Sequence, residues 1–127
     1  VDADQLGGTS GSARVHPRCY GTFARILGRY VRERGVLTPE VAIHKMTGMP
    51  ADILGATDRG RVAPSLVADL VLYDPATIID DATYEEPTRR ARGVEWVIVG
   101  GRTAMARGDL VDARLGKVVR RQVAAGA

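Results

Sequence analysis

The spacing of apolar positions changes once along this chain, and the change divides it in two. Residues 1–18, VDADQLGGTSGSARVHPR, are rich in Gly and Ser and carry no period, which reads as a loop. From Tyr20 onward, Phe23, Ile26, Leu27, Tyr30 and Val31 recur at helical spacing while Arg25, Arg29, Arg32 and Glu33 take the other side. That pattern predicts an amphipathic helix over 20–34, ended by Gly35. A second helix is expected from TPEVAIHKMTG, with Thr38 as cap, Pro39 at the first helical position, Glu40 near the positive end of the dipole and Gly48 closing it. Pro50 then opens a short third turn, PADIL, stopped by Gly55.

Beyond Gly55 the period shortens to two. A turn is expected at Asp58-Arg59-Gly60, and ADLVLYDP predicts a strand through Leu70, Val71, Leu72 and Tyr73, ended by Asp74-Pro75. TIIDDATYEEPTRRAR is polar, contains Pro87 and reads as an ordered but irregular crossing. VEWVIVGGRTAMARGD predicts a hairpin about Gly100-Gly101, where glycine supplies the positive φ of a primed turn. A last strand is expected through Lys117-Val118-Val119-Arg120. Val97 and Val99 should face one side of their strand, Trp96 and Ile98 the other. Helices precede strands with no internal repeat, so the expected class is α+β with segregated layers. The apolar helix face and the two-sided strands must be covered, either by one another or by material outside this chain.

Composition narrows the functional classes. A chain of 127 residues suffices for one compact core but is short for most self-sufficient enzymes. The formal charge is only +3, and aromatic residues, at 5%, do not interleave with the arginine clusters as stacking platforms would, which argues against a nucleic-acid partner. The single cysteine cannot form an internal disulfide and suits a reducing compartment. No apolar run reaches the length of a membrane span, so the expectation is a cytoplasmic protein that does not enter membranes. The chain opens on Val1 instead of Met, and reads as trimmed or as part of something longer.

Candidate chemistry centres on HPRCYGTFARILGRYVRERG, which places His16, Arg18 and Cys19 directly before the first helix. Together with PEVAIHKMTGMPADILG, DRGRVAPSLVADLVLYDPATI and VEWVIVGGRTAMARGDL, this run resembles the C-terminal part of the N-acyl-D-amino-acid deacylases, the D-aminoacylases, of the amidohydrolase superfamily. The resemblance covers about residues 1 to 120. It implies the last helix region of a (β/α)₈ barrel, residues 1–56, followed by strands of a flanking small β-sandwich, residues 57–127. It implies zinc as cofactor, an N-acyl-D-amino acid as substrate, and hydrolysis of the amide by metal-activated water. The family's segment ahead of the Gly-containing loop matches VDADQLGG, so the resemblance makes Asp2 the candidate catalytic carboxylate and metal ligand, with Asp4 as the alternative. A dihydroorotase or hydantoinase is the runner-up hydrolase, against which the YGTF-x-R-x-LG-x-YVRE run argues.

The chain departs from the family where metal chemistry would begin. No HxH is present, and His16 and His44 are separated by a helix, so this chain by itself is expected to be inactive and to bind no zinc. From a different class comes a stand-alone structural or binding module that self-associates, with a homodimer as the expected state. In the family the turn after Ala63 carries Pro-Gly; here Pro64 is followed by Ser65, Leu66 and Val67.

Each candidate has a plain reading beside its functional one. His16 either lines the substrate entrance or anchors its loop by hydrogen bonds. Arg18 either meets a substrate carboxylate bidentately or pairs with Asp2 or Asp4. Cys19 lacks a base and is expected to be a small packed residue. His44 is a surface or satisfied core histidine, Asp69 holds a turn through backbone amides, and Asp80-Asp81 with Glu85-Glu86 form a solvated face.

Overall fold

The computed structural model describes residues 15–120. Helix α1 spans Arg18–Arg25 and runs directly into a π-helical segment, Ile26–Glu33. The wider winding shows where Arg34 N–H bonds to the Arg29 carbonyl five residues back, at 3.0 Å. Helices α2, Pro39–Met46, and α3, Gly48–Leu54, follow. The strands are β1, Leu70–Tyr73; β2, Val94–Val99; β3, Arg102–Ala106; and β4, Asp109–Leu110. They form one antiparallel sheet in the order β1-β2-β3-β4. The α+β class and the segregation of helices from strands are as the sequence predicts.

Local chemistry accounts for most boundaries. The Thr38 side chain accepts the Val41 N–H at 3.3 Å, Pro39 occupies the first turn, and Glu40 sits beside them. Gly35 and Gly55 both end helices in the left-handed region, at φ 58° and 69°. Gly48, expected to close α2, instead opens α3: Thr47 caps α2 and the chain turns straight into the next helix. The hairpin forms as predicted, with Gly100 and Gly101 at φ 56° and 78°, the pair of positive values that a type I′ turn demands.

One expectation about strands fails. Residues 117–120 form no strand; the sheet ends with β4, because Asp109 and Leu110 return against Ala106 and Met105 immediately after the Arg107-Gly108 turn. The register between β2 and β3 shifts between Val97 and Ile98, where Met105 and Thr103 are the successive partners and Ala104 is left over as a bulge on β3. The freed Ala104 carbonyl accepts from Val111 N–H at 2.8 Å and Asp112 N–H at 3.1 Å, so the bulge tethers the chain beyond β4.

The packed interior is narrow. Among the described residues the buried apolar side chains are Ala24, Ala42, Ala51, Ala56 and Ile78. The fully buried positions of the first helix are Gly21, Ala24 and Gly28; of the expected stripe, Ile26, Leu27, Tyr30 and Val31 are half-buried, whereas Phe23 is 65% exposed. The segment following β1 lies along that small-residue face. A Cβ added at Gly28 would stand 2.3 Å from the Ile78 carbonyl oxygen, so only glycine permits this approach. Arg32 fastens the crossing, donating through Nη1 to the carbonyls of Ile78 at 2.7 Å and Pro75 at 3.1 Å. Larger side chains, among them Ile53, Leu54, Val71 and Leu72, remain exposed. Within the described residues, then, the helix and strand faces do not cover one another.

Candidate functional site

The run that introduces the first helix also lines a cleft with polar walls. Pro17 stands at the N-cap position, and its side chain has no acceptor for a cap bond, leaving the first N–H groups of the helix to other acceptors. Arg18 N–H finds His16 Nδ1 at 3.1 Å, and Cys19 N–H finds the His16 carbonyl at 3.0 Å. His16 thus anchors its loop, the plainer of its two readings. It also borders an open cleft of about 430 Å³ whose walls include Arg18, Thr22, Arg25, Asp80 and Tyr84.

Two arginines in this cleft differ in what they do. Arg25 is committed: its Nη1 bonds Asp80 Oδ2 at 2.9 Å, and that contact holds the guanidinium above its ordinary pKa. Among the described residues the Arg18 guanidinium makes no ion pair or hydrogen bond. A planar guanidinium has the fork geometry to bind a carboxylate with two parallel hydrogen bonds. Asp2 and Asp4, the sequence-based partners for Arg18, lie outside the described residues, as does the catalytic and metal role assigned to Asp2.

Several expectations need correcting here. Asp80 does not belong to a solvated face; its side chain is 7% exposed and serves as the partner of Arg25. Asp81 is paired with Arg92 at 2.5 Å, whereas Glu85 and Glu86 are exposed as a solvated face, Glu86 paired with Arg89. Cys19 is exposed, not packed, because the small-residue face of the helix turns away from it. His44 is exposed on α2, beside Gly48. Asp69 does hold a turn: Oδ1 accepts the Gly100 N–H at 2.7 Å and Oδ2 accepts from Arg59 at 2.8 Å, tying the hairpin tip to the loop before β1.

Sequence reasoning missed Tyr84. Its hydroxyl lies 3.3 Å from His16 Nε2, and the two rings meet edge to face with centroids 5.3 Å apart. An isolated aromatic residue in the polar run 80–90 was the signal available, and nothing local says what it touches. Among the described residues no three His, Cys, Asp or Glu side chains converge on a point where they could hold a metal ion. Those residues therefore do not fit a zinc site by themselves, and no step through zinc is assigned to them. No helix among them is long and apolar enough to cross a membrane.

With this geometry in view, comparison with known proteins defines the class. The profile of the Amidohydrolase family matches residues 7–105, and the chain belongs to that family. It is similar to the N-acyl-D-glutamate deacylase of Alcaligenes xylosoxydans xylosoxydans, 48% identical over 94 residues, which are 74% of this chain and 19% of the relative. The D-aminoacylase of the same organism is 42% identical over 111 residues, covering 87% of this chain and 23% of that protein. Among solved structures, the N-acyl-D-glutamate deacylase from Bordetella bronchiseptica, complexed with zinc and a phosphonate mimic of the tetrahedral intermediate, superposes with a TM-score of 0.77 at 44% identity, over 85% of this chain and 23% of that one. The chain thus spans about a fifth of the length of the curated relatives it matches.

Proposed function

We propose that this chain is the C-terminal portion of a zinc-dependent amidohydrolase that hydrolyses N-acyl-D-amino acids to a carboxylate and a free D-amino acid. The observation that carries the reading is the Arg18 guanidinium, free of any carboxylate among the described residues and set in the cleft beside His16. An N-acyl amino acid brings one obligatory anion, its α-carboxylate, and Arg18 would take it bidentately. Its position at the start of α1 adds the positive end of the helix dipole. His16 would line the entrance. Similarity to deacylases of three-quarters or more of this chain supports the substrate class.

Zinc in such an enzyme supplies an activated water at neutral pH and polarises the amide carbonyl. By resemblance Asp2 would be a ligand and the proton-transferring carboxylate, with the remaining ligands provided by the barrel portion. Residues 1–56 would then belong to the barrel and 57–127 to the flanking β-sandwich, in a cytoplasmic enzyme. The test is zinc-dependent release of D-amino acids from N-acetyl-D-amino acids by the enzyme that carries this chain. Arg18→Met should raise KM about tenfold or more, the cost of leaving a carboxylate without its charged partner. Absence of D-amino acid release with zinc present would overturn the assignment.

A second reading rests on the exposed Phe23, Ile53, Val71 and Leu72. A chain of this kind without its barrel would cover those faces by self-association into a homodimer, acting as a structural module without catalysis. A monodisperse monomer of 13.6 kDa in size-exclusion chromatography would contradict it.

A further inference from the structure

The protonation pattern of the His16 ring follows from its neighbours. Arg18 main-chain N–H can only donate, and it meets Nδ1 at 3.1 Å, so Nδ1 must present a lone pair. The neutral ring then carries its hydrogen on Nε2, and the atom facing Nε2, 3.3 Å away, is the Tyr84 hydroxyl oxygen. The phenol therefore accepts in this contact, and its own O–H remains available to an oxygen in the cleft. Tyr84 reaches His16 from the connection between β1 and β2, 68 residues further along the chain. That connection is pinned nearby, through Asp80 to Arg25 and through Asp81 to Arg92.

We infer that Tyr84 is a positioning residue: its hydroxyl oxygen, accepting from Nε2–H, holds the His16 ring where Nδ1 meets the Arg18 main-chain N–H, and so fixes the main chain at Arg18, which lines the cleft. The sheet side of the molecule thereby sets the geometry of the loop that introduces the helix. For its effect on substrate the inference rests on Arg18 as the carboxylate receptor; the tautomer stands independently of that reading. Removing the hydroxyl should leave the fold intact, since Tyr84 is exposed and its ring can keep its contact with His16.

The experiment is ¹⁵N spectroscopy of the histidine rings in the enzyme that carries this chain, with Tyr84→Phe alongside and His44→Gln to assign the signals. The unmodified protein should show His16 with its hydrogen on Nε2. In Tyr84→Phe the hydrogen should stay on Nε2, because the Arg18 N–H still requires the Nδ1 lone pair, but the ring should be held less firmly: the Arg18 amide should exchange about fivefold faster, as expected for one weakened hydrogen bond, and KM for an N-acetyl-D-amino acid should rise more than kcat falls. Hydrogen on Nδ1 in the unmodified protein would overturn the inference, as would a Tyr84→Phe variant with unchanged Arg18 exchange. A protein whose Tyr84→Phe variant shows the faster Arg18 exchange yet which hydrolyses no N-acyl-D-amino acid would uphold Tyr84 and sink the functional reading instead.

Discussion

Arg25 and Asp80, 55 residues apart in sequence, close a 2.9 Å ion pair beneath the cleft, with the carboxylate nearly buried and the guanidinium partly in solvent. The pair joins the first helix to the segment that follows β1, and it does so next to Gly21, where an added Cβ would come within 2.7 Å of the Asp80 Cβ. Asp80→Asn should cost about 1 kcal/mol, a charge-assisted bond reduced to a neutral one and discounted for the exposure of Arg25. Chemical denaturation at two salt concentrations checks this, and the loss should shrink as salt rises.

Gly28 carries the closest contact between helix and crossing segment. Gly28→Ala would push a methyl into the Ile78 carbonyl oxygen, which Arg32 already engages at 2.7 Å, so the backbone must move. A loss of about 1 to 3 kcal/mol in denaturant midpoint measurements is expected, the range for overpacking a tight contact. Gly35→Ala, where an added methyl meets open space but φ is positive, serves as the comparison and should lose less.

Asp69 fastens the hairpin tip. Asp69→Ala should release the Gly100 N–H and speed its hydrogen exchange about tenfold, whereas Asp69→Asn keeps an acceptor and should change it little. Equal exchange in all three proteins would show that the bond does not hold in solution.

Acid should destabilise the fold, with a sign fixed by its carboxylates. Arg61, Arg59 and Arg92 hold Asp52, Asp58 and Asp81 below the usual carboxylate range through donated hydrogen bonds, and Thr77 with the Ala76 N–H does the same for Asp74. The unfolded chain therefore takes up protons first, below about pH 4. The stability these groups contribute is complete above that point and is lost as pH falls through their lower folded values. Denaturation midpoints followed from neutral pH downward should fall in that window, and Asp74→Asn should flatten part of the decline.

Much of the fold was legible in the sequence because its signals are local. Thr38-Pro39-Glu40 announces a helix start by hydrogen bonding and fixed φ, Gly100-Gly101 announces a primed turn, and Asp69 announces a side chain that will bond to main chain. The candidate site was half legible. HPR drew attention to His16 and Arg18, but Tyr84 sits in a run with no period, where an aromatic residue gives no sign of its partner. Gly48 misled because a glycine after a helix closes it only if the next residues do not start another.

The sequence by itself determined the helices and the strands of the hairpin and of β1, where most of them stop, and that a histidine and an arginine stand at the head of the first helix. Those outcomes depend on backbone preference and on hydrogen bonds spanning a few residues. Only the tertiary structure decided that the small face of Gly21, Ala24 and Gly28 packs while Phe23 does not, that Asp80 is a buried partner and not a solvated acid, and that Tyr84 meets His16. These depend on contacts between segments about fifty to seventy residues apart, and periodicity says only that a face exists, never which surface will arrive to cover it.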